Sequence, residues 1–231
     1  MSASPPSAPL DAIETWAFDL DNTLYPAWCD LFALIDVKMT EFVARELSLD
    51  LAQARFLQKD YYHRHGTTLN GLMREHGLSP RAFLDYVHDI SLERLAAAPD
   101  LRAELHGLNG RRLIYTNGST RHAERVLGAL GVLDLFDGIF CIESSRFEPK
   151  PSADGFARFL QWSGAVPART AFFEDLARNL APAKAVGMTT ILVRSGPSWG
   201  HEPGNEKADL PHVDWVTEDL KAFLADIPAK G

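Results

Sequence analysis

The sequence predicts an α/β fold, a doubly wound parallel sheet interrupted by an all-helical insertion, and three observations lead there. Short apolar runs such as Trp16-Ala17-Phe18 and Ala171-Phe172-Phe173 end abruptly in acidic pairs. From residue 99 onward, such runs alternate with stretches of helical period, which is the pattern of βαβ units. Between residues 28 and 98 no strand pattern occurs. The crossovers of such a sheet are expected to be right-handed. Its ligands bind at the carboxyl ends of the strands.

The first strand runs from Trp16 to Phe18 into Asp19-Leu20-Asp21-Asn22-Thr23-Leu24. Alternation along an extended chain puts Asp19 and Asp21 on one side and turns Leu20 into the core. Two carboxylates so close repel each other unless a metal ion or a shared proton intervenes. Pro26 then stops regular structure. Residues 28–46 carry Leu31, Leu34, Ile35, Phe42 and Val43 at helical spacing. Asp50 is a candidate N-cap for a helix ending near His65. Gly66-Thr67-Thr68 interrupts, and a short helix runs to Gly77. Ser79-Pro80 supplies an N-cap and a proline at the first helical position for the helix holding Phe83, Leu84 and Val87.

After Pro99 a helix to residue 107 leads to a strand at 111–116. Asn117-Gly118-Ser119 forms a turn and N-cap for a helix at 120–130, which Gly131 closes. Strands follow at 138–142, 170–174, 188–193 and 213–216, with helices at 153–162, 176–186 and from Thr217 onward. The resulting division is a disordered tail over 1–10, a core of 11–25 and 99–225, and a helical insert over 26–98.

Composition narrows the functional classes. A net charge of -8 argues against a general nucleic-acid or membrane surface, so an anionic substrate needs a local positive site. The two cysteines, Cys29 and Cys141, form neither a disulfide framework nor a metal-ligand spacing, which points to a cytoplasmic setting. The Pro/Ser-rich first ten residues lack the basic and apolar regions of a signal peptide. No apolar run approaches bilayer-spanning length.

Four polar groups fall at the ends of successive predicted strands: Asp19 with Asp21, Thr116 with Asn117, Lys150 between two prolines, and Glu174 with Asp175. Each alone is commonplace. Acidic residues compensate helix dipoles, Thr-Asn-Gly starts helices, and a lysine between prolines sits in many solvated loops. Together in one sheet they make a parts list for phosphoryl transfer: nucleophile, proton donor, metal cage and phosphate clamps.

The chain resembles the haloacid dehalogenase-like phosphohydrolase superfamily through Asp19-x-Asp21-x-Thr23, Thr116-Asn117, Lys150 and Glu174-Asp175, in that order. The insert between the first and second motifs matches the position of a helical-bundle cap. Within that subgroup FDLDNTLYP, HGTTLNGLM and FFEDLARNLAPAKAVGMTTILV resemble the pyrimidine 5'-nucleotidase-like branch. The resemblance implies a Rossmann-like core and an aspartyl-phosphate formed on Asp19, with Asp21 as acid and base. It also implies Mg²⁺ held by Asp19, the Asp21 carbonyl and Asp175, with Glu174 acting through water. Thr116, Asn117 and Lys150 would hold the phosphoryl oxygens.

The substrate implied is a small phosphorylated metabolite, a pyrimidine nucleoside monophosphate foremost. Tyr61, Tyr62, Thr67, Thr68 and Asn70 are candidate recognition residues, by stacking and hydrogen bonding. The same residues also suit core packing and helix capping. A sugar phosphate or phosphoglycolate substrate stays open, as does a regulatory protein that keeps the fold without catalysis. Haloacid dehalogenation is disfavoured, because it has no leaving alcohol for Asp21 to protonate. A phosphonatase would need a Schiff-base lysine from the insert, where Lys38 and Lys59 lie in charged helical stretches. The loop 195–211, with Trp199 and His201, is either a mobile surface loop or an approach to the site.

Overall fold

The computed structural model describes residues 9–194 and 211–228. The tail through residue 8, and Trp199 and His201 in the long loop, lie outside the described residues. The chain divides into two compact units: Asp30–Arg94, and the residues up to Cys29 together with those from Leu95 on. The division falls four residues inside each end of the insert expected from the sequence.

The unit Asp30–Arg94 contains four helices, α1 (Leu31–Leu47), α2 (Leu51–His65), α3 (Thr68–His76) and α4 (Pro80–Val87). The Asp50 side chain accepts from Gln53 N–H, and the Gln53 side chain accepts from Asp50 N–H, a capping box that starts α2. Ser79 occupies the N-cap position of α4 but makes no side-chain cap bond; Pro80 begins that helix. The helices pack through Phe42, whose ring meets Phe83 edge-on at 5.2 Å. A buried acid, Asp36, pins α1 to α2: its carboxylate accepts from Arg55 at 2.9 Å, Gln58 at 2.7 Å and Lys59 at 2.7 Å. Three donors on one carboxylate compensate for its removal from water.

The second unit is built on six parallel strands: β1 (Thr15–Phe18), β2 (Arg111–Tyr115), β3 (Gly138–Phe140), β4 (Thr170–Glu174), β5 (Thr189–Val193) and β6 (Trp215–Thr217). Their order is β3-β2-β1-β4-β5-β6. Winding therefore reverses between β1 and β4, and a crevice opens at the strand carboxyl ends there. All residues of β1, β4 and β5 are buried, as a sheet covered on both faces requires.

Helices α5 (Pro99–Gly107), α6 (Thr120–Leu130), α7 (Ala153–Ser163), α8 (Ala177–Ala185) and α9 (Leu220–Ala225) belong to this unit. Alternation along β4 separates its two faces. Phe172 joins Tyr115, Phe140, Phe156 and Phe159 beneath α7 and α8. Phe173 stacks on Phe18 at 4.6 Å and meets Phe223 of α9 on the other face. The last helix begins three residues later than the sequence suggests. Thr217 ends β6 instead, and Asp219 caps α9 by accepting from Lys221 and Ala222 N–H.

Two glycines make opposite predictions. A Cβ on Gly71 in α3 would drive into the Tyr61 ring of α2, whereas one on the exposed Gly128 in α6 meets nothing within 4 Å. Gly71→Ala should cost about 1–3 kcal/mol through overpacking. Gly128→Ala should add about 0.5–1 kcal/mol by removing the glycine penalty in a helix. Urea denaturation should move the two midpoints in opposite directions.

Candidate active site

The site begins where β1 stops. Phe18 lies opposite Ile114 of β2 and Phe173 of β4, so the next residue, Asp19, emerges level with the ends of both neighbours. Its N–H donates to Phe173 O at 2.9 Å, the last rung of the ladder. The carboxylate is nearly buried and accepts from Thr23 Oγ1 at 3.1 Å and from Lys150 Nζ at 2.6 Å. Lys150 Nζ also donates to Glu174 at 2.6 Å. One ammonium thus bridges the ends of β1 and β4.

Lys150 is ten residues beyond the end of β3, not at a strand end as the sequence suggests. A run of turns carries it back, and Asn117 fixes it there. Asn117 Oδ1 accepts from Lys150 N–H at 2.8 Å, while Asn117 Nδ2 donates to Lys150 O at 3.2 Å. The Asn117 amide is therefore engaged with lysine backbone. Thr116 follows β2, is buried, and accepts from Gly118 N–H at 2.9 Å. The lysine stem lies against aromatic rings, with Nζ 5.3 Å from the Tyr115 centroid and 5.4 Å from that of Phe172. Such faces favour a cation.

Asp19 and Asp21 do not share one environment. The strand ends at Phe18 and the chain turns over residues 21–24, so strict alternation no longer applies; Leu20 is nonetheless fully buried. Asp21 Oδ1 accepts from the Tyr25 hydroxyl at 2.6 Å and lies 2.8 Å from His122 Nε2. Neither Tyr25 nor His122 was among the sequence candidates. The clues were four-residue spacing from Asp21 to Tyr25, and the place of His122 three residues after the helix-capping Ser119.

The carboxylate that acts most strongly on Asp19 is Glu174, with a smaller contribution from Asp21. Burial, then the Glu174 charge, pushes the Asp19 carboxyl up to about 7 against the pull of Lys150. Burial, then Glu174 and Asp19, raises Asp175 well above the usual carboxylate range, although part of its surface reaches solvent. Burial opposes the Lys150 charge, but Asp19 and Glu174 outweigh it and raise its pKa. Burial and the Asp21 charge keep Tyr25 a neutral donor.

Asp19, Glu174 and Asp175 offer carboxylate oxygens within 4.8 Å of one another. An all-oxygen donor set with excess negative charge suits a hard divalent cation. Glu174, like Asp19, is engaged on both oxygens: Oε1 accepts from Leu176 N–H at 3.2 Å and Oε2 from Lys150.

The candidates in the helical unit are engaged within it. Thr67 Oγ1 accepts from Asn70 N–H at 3.1 Å and caps α3. Buried Thr68 donates to Gln58 O at 3.2 Å, and the Asn70 amide donates to His65 O at 3.4 Å. Tyr61 is buried beside His76, and half-buried Tyr62 packs edge-on to His63. Lys59 is bound to Asp36, and Lys38 Nζ sits 4.7 Å over the Tyr86 ring.

No helix among the described residues is long and apolar enough to cross a membrane. A curated relative, Phosphate metabolism protein 8 of Saccharomyces cerevisiae, is 29% identical over 200 residues, 80% of this chain. The aligned region spans 62% of that protein's length. Among solved structures, a HAD phosphatase from Thermococcus onnurineus aligns with a TM-score of 0.63 at 19% identity, covering 94% of this chain and 99% of that one. L-2-haloacid dehalogenase from Xanthobacter autotrophicus aligns with a TM-score of 0.58 at 19% identity, covering 92% and 97%. These two likenesses concern the fold. A family model described as haloacid dehalogenase-like hydrolase matches residues 13–187, well over half the chain and all four motifs. On that match, and with the same motifs gathered at the ends of β1, β2 and β4, the chain belongs to the haloacid dehalogenase-like hydrolases.

Proposed function

We propose that this hydrolase is a cytoplasmic, Mg²⁺-dependent phosphomonoesterase working through an aspartyl-phosphate on Asp19. The observation that carries the reading is the separation of two carboxyl groups two residues apart. Asp19 sits with Lys150, Glu174 and Asp175, whereas Asp21 sits apart with Tyr25 and His122. A nucleophile and a proton donor need different surroundings, and dehalogenation has no alcohol for the second to protonate.

In this reading Asp19 attacks phosphorus in line as the bond to the ester oxygen breaks, and Asp21 gives that oxygen its proton. Water then attacks the aspartyl-phosphate, Asp21 takes a proton from it, and phosphate leaves Asp19 as it was. Lys150 and Thr116 bind phosphoryl oxygens, and Asn117 serves by holding the Lys150 backbone. Asp19 and Asp175, with the Asp21 carbonyl and Glu174 through water, would hold Mg²⁺, whose charge offsets that of carboxylates and phosphate together. The name of the yeast relative agrees with phosphate chemistry.

The helical unit would serve as the cap. A pyrimidine nucleoside 5'-monophosphate remains the leading substrate, on the sequence resemblance to that branch. Thr67, Thr68 and Asn70 are engaged at the start of α3 and with carbonyls of α2, which makes half-buried Tyr62 the aromatic candidate there. Another small metabolite, such as a sugar phosphate or phosphoglycolate, is the second reading.

Phosphate release should be measured with UMP, CMP, dTMP, AMP, phosphoglycolate and sugar phosphates, with Mg²⁺ and with EDTA. Activity should require the metal and vanish in Asp19→Asn. A pyrimidine preference of about tenfold in kcat/KM corresponds to roughly 1.4 kcal/mol of discrimination. No release from any ester would overturn the phosphatase reading.

Two stability measurements probe the same charges. Because the folded state holds the Asp19 proton up to about pH 7 and the unfolded chain only to the ordinary aspartate value of 3.8, the EDTA-treated protein should lose stability as pH rises through that window. Asp19→Asn should flatten this slope, and Mg²⁺ should restore stability above pH 7. Lys150→Met, which strips the buried carboxylates of their counter-charge, should cost about 3–5 kcal/mol in urea denaturation.

A further inference from the structure

Two donors from separate elements converge on one oxygen of Asp21. Tyr25 comes from the turn after β1, and its hydroxyl is 2.6 Å from Oδ1. His122 stands on the first turn of α6, its N–H bound to the Ser119 side chain at 3.2 Å and its Nε2 2.8 Å from the same Oδ1. Both residues are buried, His122 completely. A carboxyl oxygen that carries no proton only accepts, so towards such an oxygen the imidazole presents Nε2–H. Two donors occupy the two lone pairs of Oδ1. The other oxygen, Oδ2, lies over Gly118, 3.8 Å from where a Cβ would stand.

We infer that Tyr25 and His122 are positioning residues that clamp Asp21 through Oδ1 and so fix the orientation in which its carboxyl transfers a proton. The inference rests on the reading of Asp21 as the acid and base. A carboxyl fixed by one oxygen keeps a single orientation, whereas a solvated aspartate rotates among several. Orientation of this kind matters because displacing a reacting group by about 1 Å can cost 10²-fold in rate. Gly118 contributes by having no side chain: a Cβ there would come within 3.2 Å of both His122 Cδ2 and Thr116 Oγ1. The glycine of the Thr-Asn-Gly turn therefore eases the close approach of the imidazole and the Thr116 hydroxyl.

Leaving-group dependence separates this role from a merely structural one. Protonation matters for alcohols that leave poorly and little for p-nitrophenolate, which leaves without a proton. The enzyme should be assayed with Mg²⁺ on p-nitrophenyl phosphate, phenyl phosphate and a simple alkyl phosphate. Wild type, Asp21→Asn, His122→Leu, His122→Gln and Tyr25→Phe are compared. His122→Leu and Tyr25→Phe should lose about ten- to a hundredfold in kcat on the alkyl ester, with KM little moved, and far less on the nitrophenyl ester. His122→Gln, which keeps an N–H donor of similar reach, should recover much of the loss. Equal losses on all three esters, or losses in KM alone, would overturn the clamp while Asp21→Asn still shows the leaving-group effect. If Asp21→Asn itself shows no such effect, or wild type cleaves none of the esters, the acid assignment fails and the clamp with it.

Discussion

A buried ammonium between two buried carboxylates is the interaction around which this molecule is arranged. Lys150 Nζ lies 2.6 Å from both Asp19 and Glu174, and all three side chains are removed from water. Charges so placed are costly unless each finds its partner with good geometry. Here the requirement ties together β1, β4 and the turns after β3, which are distant in sequence. The core beneath serves the same end, because Tyr115 and Phe172 present their rings to the cation while belonging to the aromatic cluster under α7 and α8. Asn117 completes the arrangement from β2 by gripping the lysine backbone on both its N–H and its carbonyl.

The charge count at this spot leaves an excess of acid. Asp19, Glu174 and Asp175 face one lysine, and the Asp19 and Asp175 carboxyls hold protons more tightly than free aspartates do. A cluster of that kind invites a divalent cation, and its oxygen-only chemistry selects a hard one. Asp21 escapes the crowding because the chain turns immediately after β1 and delivers it to Tyr25 and His122. The turn therefore does chemical sorting: one carboxyl joins Lys150 and Glu174, and its neighbour two residues on is held by Tyr25 and His122.

In the helical unit, polar residues that are candidates for recognition also serve the fold. Thr67 caps α3, Thr68 satisfies a carbonyl of α2, and Asn70 bonds the end of the same helix. Lys59, which a sequence reading leaves on a solvated face, also donates to buried Asp36, alongside Arg55 and the Gln58 amide. A helix-pinning acid needs several donors from the facing helix, and no local spacing announces which residues those are.

The sequence alone determined the architecture and the hydrolase family, because the signals for both are short-range. Apolar runs at Trp16–Phe18 and Ala171–Phe173, capping residues at Asp50 and Ser119, and the missing strand pattern of the insert are all local, and so are the acidic pairs at strand ends. Tertiary structure alone decided which polar groups meet. It brought Lys150 to Asp19 across 131 positions and His122 to Asp21 across 101. It set the Asn117 amide against the Lys150 backbone, and it gave Asp19 and Asp21 different partners. Side-chain partners across a parallel sheet follow from register and from where each loop folds back. Those are set by packing of the whole unit, and no single stretch of sequence contains them.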